Sequence, residues 1–406
     1  MEDIVTTPAE LVVVDEAAAR TRIVRIVLYC VAVFLYWAAL YIYVPTLPTY
    51  VESKAASLAL VGVVLAQYGV WQAVVRLPLG IASDWLGQRK PFIIAGFILA
   101  GVGAVVMGRA DGVNGLLVGR AITGLAAAAW VPLVVAFSSL FPAGDAIRAT
   151  AILTLLNSLG RASATAVTGS LNEAVGYALP FFLAAGLAAL AIVAVLPVSE
   201  VRRAPKRPSV GAIGRLIVRP DVLLPAVLAT ISQYGNWATT FGFLPILAED
   251  MGATGVTQSI LLSLNIAVLA LGQLVATTLA KRLGARTVVL ASFVILAVGI
   301  GLAAIAPSLP LLFVAQFCIG LSQGIGYPVM MGMSIERVAE ESRSTAMGLF
   351  QSLYAIGMFG GPALSGVLAD AMGIRLMFGV TAVACLLPGV LLTRGLNRRP
   401  PVETVK

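Results

Sequence analysis

The sequence predicts an all-α membrane protein with twelve transmembrane helices, arranged as two six-helix pseudo-repeats. Hydrophobic residues make up 59% of the chain and charged residues 11%, whereas a soluble domain carries about 25% charged residues. About twelve apolar runs in the sequence reach the roughly 20 residues that a helix needs to cross a bilayer. The two halves also carry matching residues at a nearly constant offset, which indicates an internal repeat.

The distribution of positive charge predicts the orientation of these helices. The chain has 27 Lys and Arg against 19 Asp and Glu, a formal net charge of +8. Of the 27, 22 fall in the tails and alternate loops, or at the helix ends beside them. Lys and Arg are retained on the cytoplasmic side of a membrane. We therefore expect both termini to be cytoplasmic, and we do not expect a nucleic-acid groove.

The same signals divide the chain into two halves. We expect a cytoplasmic tail over 1–22, a six-helix half over 23–196, a cytoplasmic linker over 197–220, a second six-helix half over 221–393 and a cytoplasmic tail over 394–406. The linker is basic, and a site for acidic lipid there is the weaker alternative to a plain connection.

The predicted helices follow one another with short connections. In the first half they lie at about 23–44, 57–81, 91–107, 115–137, 149–171 and 177–196. In the second half they lie at about 222–248, 257–279, 287–305, 311–334, 345–368 and 374–393. No cleavable signal pattern precedes the first helix, and the three cysteines, all in apolar runs, imply no disulfide framework.

The internal repeat rests on three separate groups of residues. Arg120, Gly124 and Pro132 correspond to Gln316, Gly320 and Pro328 at an offset of 196. Gly87 and Arg89 correspond to Gly284 and Arg286, and Leu47-Pro48 to Leu244-Pro245, at an offset of 197. A single match of this kind is common by chance in such a sequence. Three separate groups that share an offset of about half the chain are much less so.

The most specific motif lies between the second and third predicted helices. It has the form G-x-x-x-D-x-x-G-x-R-K, with Gly80, Asp84, Gly87, Arg89 and Lys90 at its fixed positions. This stretch resembles the signature loop of the major facilitator superfamily, although Trp85 stands where that family often has Arg. The resemblance implies two halves that rock around a central site. It also implies a gating role for these five residues, with Asp84 and Arg89 as an inner latch.

Weaker motifs extend the resemblance along the chain. Pro45-Thr-Leu-Pro48 matches the P-x-x-P often found at the outer end of the first helix. Gly357-Met-Phe-Gly360-Gly361-Pro362 resembles a G-x-x-x-G-P pattern that antiporters of the family carry in their fifth helix. Here that pattern lies in the eleventh helix, which weakens an assignment as a drug antiporter. In the family, helices 1, 2, 4, 5, 7, 8, 10 and 11 line the cavity.

Arg161 is the leading candidate for substrate binding. It lies on one polar face of the fifth predicted helix with Asn157 and Thr165, about 18 Å from the cytoplasmic end at 1.5 Å per residue. An Arg at that depth costs about 2.5–3.5 kcal/mol or more, and no Asp or Glu lies at a comparable depth. We expect it to face a water-filled cavity and bind an anion. The alternative is an Arg satisfied by helix carbonyls and Asn157.

Further candidates are polar or aromatic side chains near mid-depth on the predicted helices. The candidate substrate contacts besides Arg161 are Asn157, Tyr36, Gln67, Trp71, Gln233, Asn236, Trp237, Gln323 and Tyr327. Any single Gln or Asn is more often a bond between helices than a ligand contact. Arg120 begins an R-x-x-x-G pattern that resembles one tied to proton movement in proton-coupled relatives, and a packing role is its alternative.

These observations predict a secondary active transporter of a small solute, with an organic anion favoured as the substrate. The alternative is a proton-coupled multidrug or metabolite efflux pump. The chain contains no His, the commonest general base and metal ligand, and no catalytic acidic pair. We therefore expect no enzyme activity and no cofactor or metal. A channel would need charged rings or a carbonyl filter. We expect a monomer in a prokaryotic-type inner or plasma membrane.

Overall fold

The computed structural model describes residues 8–141, 145–200, 214, 216–338 and 340–397. Within these ranges the chain is almost entirely helical and contains no strand. Much of the predicted linker over 197–220 and of the C-terminal tail over 394–406 lies outside the described residues, and so does the lipid site considered for the linker.

The first half consists of helices that follow the predicted order. They are α1 (Pro8–Tyr41), α2 (Leu47–Glu52), α3 (Leu58–Leu86), α4 (Lys90–Gly108), α5 (Val113–Ala127), α6 (Trp130–Ser138), α7 (Ala146–Val175) and α8 (Ala178–Val195). α1 extends well before residue 23, so the predicted start of the first helix is too late. α5 and α6 together form the fourth predicted helix, with a break between them.

The second half repeats this order. It contains α9 (Pro220–Ala238), a π-helical segment (Thr239–Phe243), α10 (Leu244–Asp250), α11 (Gly255–Leu283), α12 (Ala285–Ile305), α13 (Leu309–Glu336), α14 (Glu340–Met372) and α15 (Ile374–Thr393). α9, the π-helical segment and α10 form the seventh predicted helix. Pro245 has no N–H to continue the α-helical ladder at this point, next to the segment that widens to π geometry.

Ten helical segments in the described residues are long and apolar enough to cross a membrane. The two predicted spans not among them are α7 and the segment from α9 to α10. α7 carries the polar face with Arg161, and the π-helical segment lies within the span from α9 to α10. Both still pack within the bundle, so the prediction of an all-α membrane fold is confirmed.

Equivalent glycines make equivalent contacts in the two halves. A Cβ on Gly124 of α5 would lie 2.9 Å from the Gln67 carbonyl oxygen of α3. A Cβ on Gly320 of α13 would lie 2.6 Å from the Asn265 carbonyl oxygen of α11. Only Gly allows backbones to approach this closely. The short helices α2 and α10, each with Pro near its start, are also equivalent, so the predicted repeat is confirmed.

The two halves are joined by hydrogen bonds at the end of the bundle that carries α2 and α10; this set is called the seal below. Three bonds of the seal link α7 to α11: Thr165 Oγ1–Ser263 Oγ (2.8 Å), Gly169 N–Ser259 Oγ (2.7 Å) and Val256 N–Glu173 Oε1 (3.2 Å). Two more are Thr49 Oγ1–Gln258 Oε1 (3.3 Å) and Leu58 N–Asp370 Oδ1 (3.1 Å). The backbones of Gly169 and Gly255 touch between them.

The signature stretch is not mainly a loop, as the sequence reading had it. α3 continues through Gly80 and Asp84 to Leu86, and Gly87 ends it in the left-handed conformation with φ of 62°. A Cβ on Gly80 would meet only the Val131 side chain at 3.4 Å, so this glycine does not bring two helix backbones together. The close approaches of α3 occur instead at Gly62 and Gly69, against α14.

Candidate functional site

A cavity of about 310 Å³ lies between the two halves. Its walls come from α1, α3, α6 and α7 of the first half and from α9, the π-helical segment, α11, α13 and α14 of the second half. These elements correspond to helices 1, 2, 4, 5, 7, 8, 10 and 11 of the twelve predicted spans, the set implied by the family resemblance. Along α7 and α11 the cavity begins where the seal ends, so the seal closes one end of the cavity.

Arg161 lines this cavity without a counter-charge. Its guanidinium carbon lies 4.3 Å from the centre of the Tyr41 ring, a cation–π contact. Its Nε is buried, and no described residue accepts a hydrogen bond from it. No Asp or Glu belongs to the cavity lining. Asn157 lies one turn away in the lining, and no described hydrogen bond joins it to Arg161.

The second half contributes amides and a stack of aromatic rings to the cavity. Gln323 Nε2 donates to Ser232 Oγ (2.9 Å), and Gln233 Nε2 donates to Gln323 Oε1 (3.3 Å). These two glutamines therefore bind helices together while they line the cavity. Trp237 stacks on Tyr68 of the first half, with ring centres 5.5 Å apart. Asn236 is 3% exposed, and its Oδ1 has no described hydrogen-bond partner.

Seven of the ten predicted substrate contacts belong to the cavity lining: Arg161, Asn157, Gln233, Asn236, Trp237, Gln323 and Tyr327. Tyr36, Gln67 and Trp71 are not among the lining residues, so the structure does not bring them to this cavity. Tyr36 is fully buried and donates to the Ala126 carbonyl oxygen (2.7 Å). Gln67 bonds to the Val63 carbonyl oxygen of its own helix (3.3 Å). Gln67 directly precedes the lining residue Tyr68, and Trp71 directly precedes the lining residue Gln72. Consecutive residues of a helix are rotated by about 100°, so Gln67 and Trp71 belong to a different face of α3.

Arg120 is buried behind the cavity wall. It is 2% exposed, and its guanidinium carbon lies 4.2 Å from the centre of the Tyr68 ring. Its Nε and Nη1 have no hydrogen-bond partner among the described residues. Arg120 is not part of the lining, and its role in proton movement stays a prediction.

Arg76 is the cavity residue that the sequence reading missed. It was counted as a charge at a helix end, but α3 continues for ten residues beyond it. Arg76 is 4% exposed, lines the cavity and donates hydrogen bonds to the Tyr354 hydroxyl of α14 and to Gln72 Oε1. The spacing of Tyr68, Gln72 and Arg76, four residues apart on one helical face, is the signal that could have found it.

The signature residues form a network within the first half. Arg89 Nη2 binds Asp84 Oδ1 at 2.7 Å, an ion pair in which the Arg89 side chain is 10% exposed. Glu200, after α8, accepts from the backbone N–H groups of Arg89 (2.7 Å) and Lys90 (2.8 Å). Lys90 Nζ donates to the Val198 carbonyl oxygen (2.8 Å). The carboxylate of Glu200 thus caps the start of α4, a partner that the motif alone did not indicate.

Comparisons with a family model, with related sequences and with solved structures agree with one another. The family model described as Major Facilitator Superfamily matches residues 29–231 and 226–406. An uncharacterized MFS-type transporter of Methanocaldococcus jannaschii is 23% identical, over 82% of this chain and 87% of that protein. The multidrug resistance protein MdtH of Aeromonas hydrophila is 26% identical, over 85% and 88%. The crystal structure of the nucleoside transporter NupG has a TM-score of 0.73 at 15% identity, over 93% and 100%.

Proposed function

The chain belongs to the Major Facilitator Superfamily and is a multi-span membrane transporter, and we propose that it moves a small organic anion by alternating access. In this proposal it is a secondary active transporter of the cell membrane, with both termini in the cytoplasm. The substrate binds in the cavity between the halves, and Arg161 supplies the charge that selects it.

The unpaired Arg161 carries this proposal. A buried cation is costly unless a counter-charge and hydrogen bonds accompany it. Arg161 is half-buried, and the cavity lining contains no carboxylate, so a bound anion would supply its counter-charge. The planar guanidinium presents donors in a fork that fits a carboxylate or a phosphate. A substrate anion would therefore complete a site that the chain itself leaves positively charged.

The seal supports alternating access. It closes one end of the cavity through hydrogen bonds and close glycine contacts of α7 with α11 and of α3 with α14. In the proposed orientation this end faces outward, so a seal at this end is what we expect of an inward-facing state. Opening requires that these contacts separate while the opposite ends of the helices approach each other, as expected for rocking of two repeats around a fixed site.

The proposal is tested by a screen for thermal stabilisation. A ligand that binds only the folded state raises its melting temperature by mass action. We expect aromatic carboxylates to stabilise the purified protein, and this effect to be lost in Arg161→Gln but kept in the surface control Arg109→Gln. Stabilisation by lipophilic cations alone, unchanged in Arg161→Gln, would contradict the proposal.

A proton-coupled multidrug or metabolite efflux pump is the second candidate. It is favoured by similarity to a protein named for multidrug resistance and by the aromatic cavity lining, including Trp37, Trp130 and Trp237. Aromatic rings attract cations, but a cationic drug would have to share the cavity with unpaired guanidinium groups. Stabilisation by cationic drugs in the same screen would favour this candidate.

A further inference from the structure

We propose that the substrate is an organic dianion, with one acid group bound by Arg161 and the second bound by Arg76. This inference rests on the proposed function, because it assumes that the cavity takes an anion. It adds a second anion-binding position, on α3, and it specifies the shape of the substrate.

Arg76 is buried in the wall of the cavity and has no counter-charge. It is 4% exposed, and no described carboxylate lies within ion-pair distance of it. Its acceptors, the Tyr354 hydroxyl and Gln72 Oε1, are neutral, and its Nε has no described hydrogen-bond partner. Neutral acceptors satisfy donors but leave a net charge in a poorly solvated place. The cavity therefore carries two uncompensated positive charges, which a dianion would balance.

A series of aromatic rings runs from the helix that carries Arg76 to Arg161. Arg76 lies eight residues after Tyr68, which is about 12 Å along the axis of α3. Tyr68 stacks on Trp237, Trp237 stacks on Phe241 with ring centres 4.6 Å apart, and Phe241 meets the edge of Tyr41 at 6.2 Å. Arg161 lies over the far member of this series, Tyr41.

This arrangement defines the shape of the ligand as well as its charge. Two acid groups at opposite ends of the molecule would reach the two arginines, and a flat aromatic body between them would lie along the rings. Aromatic pairs add about 0.5–1.5 kcal/mol beyond the area they bury. We therefore expect an elongated aromatic dicarboxylate, or a comparable molecule with a sulfonate or phosphate at one end, to fit better than a compact dianion.

The contact between Arg76 and Tyr354 joins the two halves within the cavity. The guanidinium carbon of Arg76 also lies 5.3 Å from the centre of the Tyr354 ring. An acid group that binds Arg76 at Nη1 would compete with the Tyr354 hydroxyl, which accepts from that atom. In that geometry, removal of the hydroxyl should strengthen dianion binding by about two- to tenfold, the net worth of one typical hydrogen bond.

The test compares two ligands that differ by one acid group, biphenyl-4-carboxylate and biphenyl-4,4′-dicarboxylate. Their dissociation constants are measured by calorimetry on the purified full-length protein. We expect Arg76→Gln to weaken binding of the dicarboxylate by about 10- to 100-fold, because a charge-assisted contact is lost. The same variant should change the dissociation constant of the monocarboxylate by less than about twofold. Arg161→Gln should weaken binding of both ligands, and Tyr354→Phe should strengthen binding of the dicarboxylate only.

Arg76→Lys is the control for a folding defect, because it keeps a positive charge at the buried position. It should retain part of the preference for the dicarboxylate, and Arg109→Gln on the surface should retain all of it. If Arg76→Gln changes the dissociation constants of both ligands equally, or changes neither, this inference is overturned. The proposed function would still stand if binding of the monocarboxylate depends on Arg161. Binding of neither carboxylate to the wild-type protein would contradict both.

Discussion

At the residue scale, the charged side chains near the signature stretch differ from those in the cavity. Those near the signature stretch are paired: Asp84 binds Arg89 at 2.7 Å, and Glu200 accepts from the backbone of Arg89. Those in the cavity, Arg76 and Arg161, have no carboxylate partner among the described residues. Paired charges at a helix end suit a structural or gating role, whereas unpaired charges in a cavity suit the binding of a ligand.

The first prediction concerns Asp84. We expect Asp84→Asn to lower the transport rate at saturating substrate at least about tenfold while it changes substrate affinity by less than about threefold. The physical reason is that Asp84 ends α3 away from the cavity, and loss of its charge leaves the buried Arg89 without its ion-pair partner. Rates and dissociation constants are measured in proteoliposomes, with Asp111→Asn as the exposed control at the opposite end. A collapse in affinity with an unchanged rate would refute the gating role.

The sequence was sufficient to find Arg161 but not Arg76. Arg161 stands near the middle of the fifth predicted helix, so its depth follows from counting residues. Arg76 lies close to a recognised motif, and the end of α3 could not be placed from the pattern, because Gly80 and Asp84 are common in loops. Tyr36 shows a second limit, because periodicity gives a helical face but not the neighbour that this face meets.

At the element scale, glycines determine how closely the two halves meet. A Cβ added to Gly69 of α3 would lie 2.5 Å from the Phe359 nitrogen of α14. A Cβ added to Gly186 of α8 would meet nothing within 4 Å. The G-x-x-x-G-P stretch of α14 packs closely on α3, where the backbones of Gly62 and Pro362 meet. Which helix it packs against could not be read from the sequence.

The second prediction follows from this pair of glycines. We expect Gly69→Ala to destabilise the protein by about 1–3 kcal/mol, as overpacking does, and to lower its melting temperature in detergent. Gly186→Ala should leave the melting temperature unchanged or raise it, because Ala is favoured over Gly within a helix. Equal melting temperatures for the two variants would show that α3 and α14 do not meet as closely as described.

The third prediction concerns the pH response of the seal. Burial, with Asp250 and Glu249 of α10 nearby, raises the pKa of Glu52 on α2 to about 7. Separation of the halves would return this carboxyl towards its ordinary pKa. Protonation therefore favours the closed seal below pH 7, and this advantage is lost as the pH rises through 7.

This response is measured as a distance between spin labels at Asn114 and Met372, on opposite halves. We expect a shorter distance at pH 5.5 than at pH 8, and no such difference after Glu52→Gln, with the exposed Asp111→Asn as the control. A pH response that survives Glu52→Gln would assign it to another group.

At the scale of the whole molecule, the architecture was predictable and the conformation was not. The constant offset identified the repeat, and Gly124 and Gly320 make the matching contacts that it implied. The seal depends on side chains such as Ser259 and Ser263, which are separated in sequence by about 90 residues or more from their partners on α7. Hydropathy carries no information about which end of the bundle is closed.

The fourth prediction concerns topology. In a variant without the three native cysteines, we expect Asp111→Cys to react with an impermeant maleimide in intact cells. Val218→Cys, in the predicted linker, should react only after permeabilisation. This result follows from the retention of Lys and Arg on the cytoplasmic side. The reverse labelling pattern would place the seal on the cytoplasmic side.

Transport by Arg161→Gln tests the central claim most directly. Proteoliposomes that contain the wild-type protein or Arg161→Gln are given a labelled aromatic carboxylate and, separately, a labelled lipophilic cation such as tetraphenylphosphonium. We expect saturable carboxylate transport that falls by about 10- to 100-fold in Arg161→Gln and recovers in part in Arg161→Lys, with no protein-dependent transport of the cation. Transport of the cation by both proteins at the same rate would contradict the claim that this cavity selects anions.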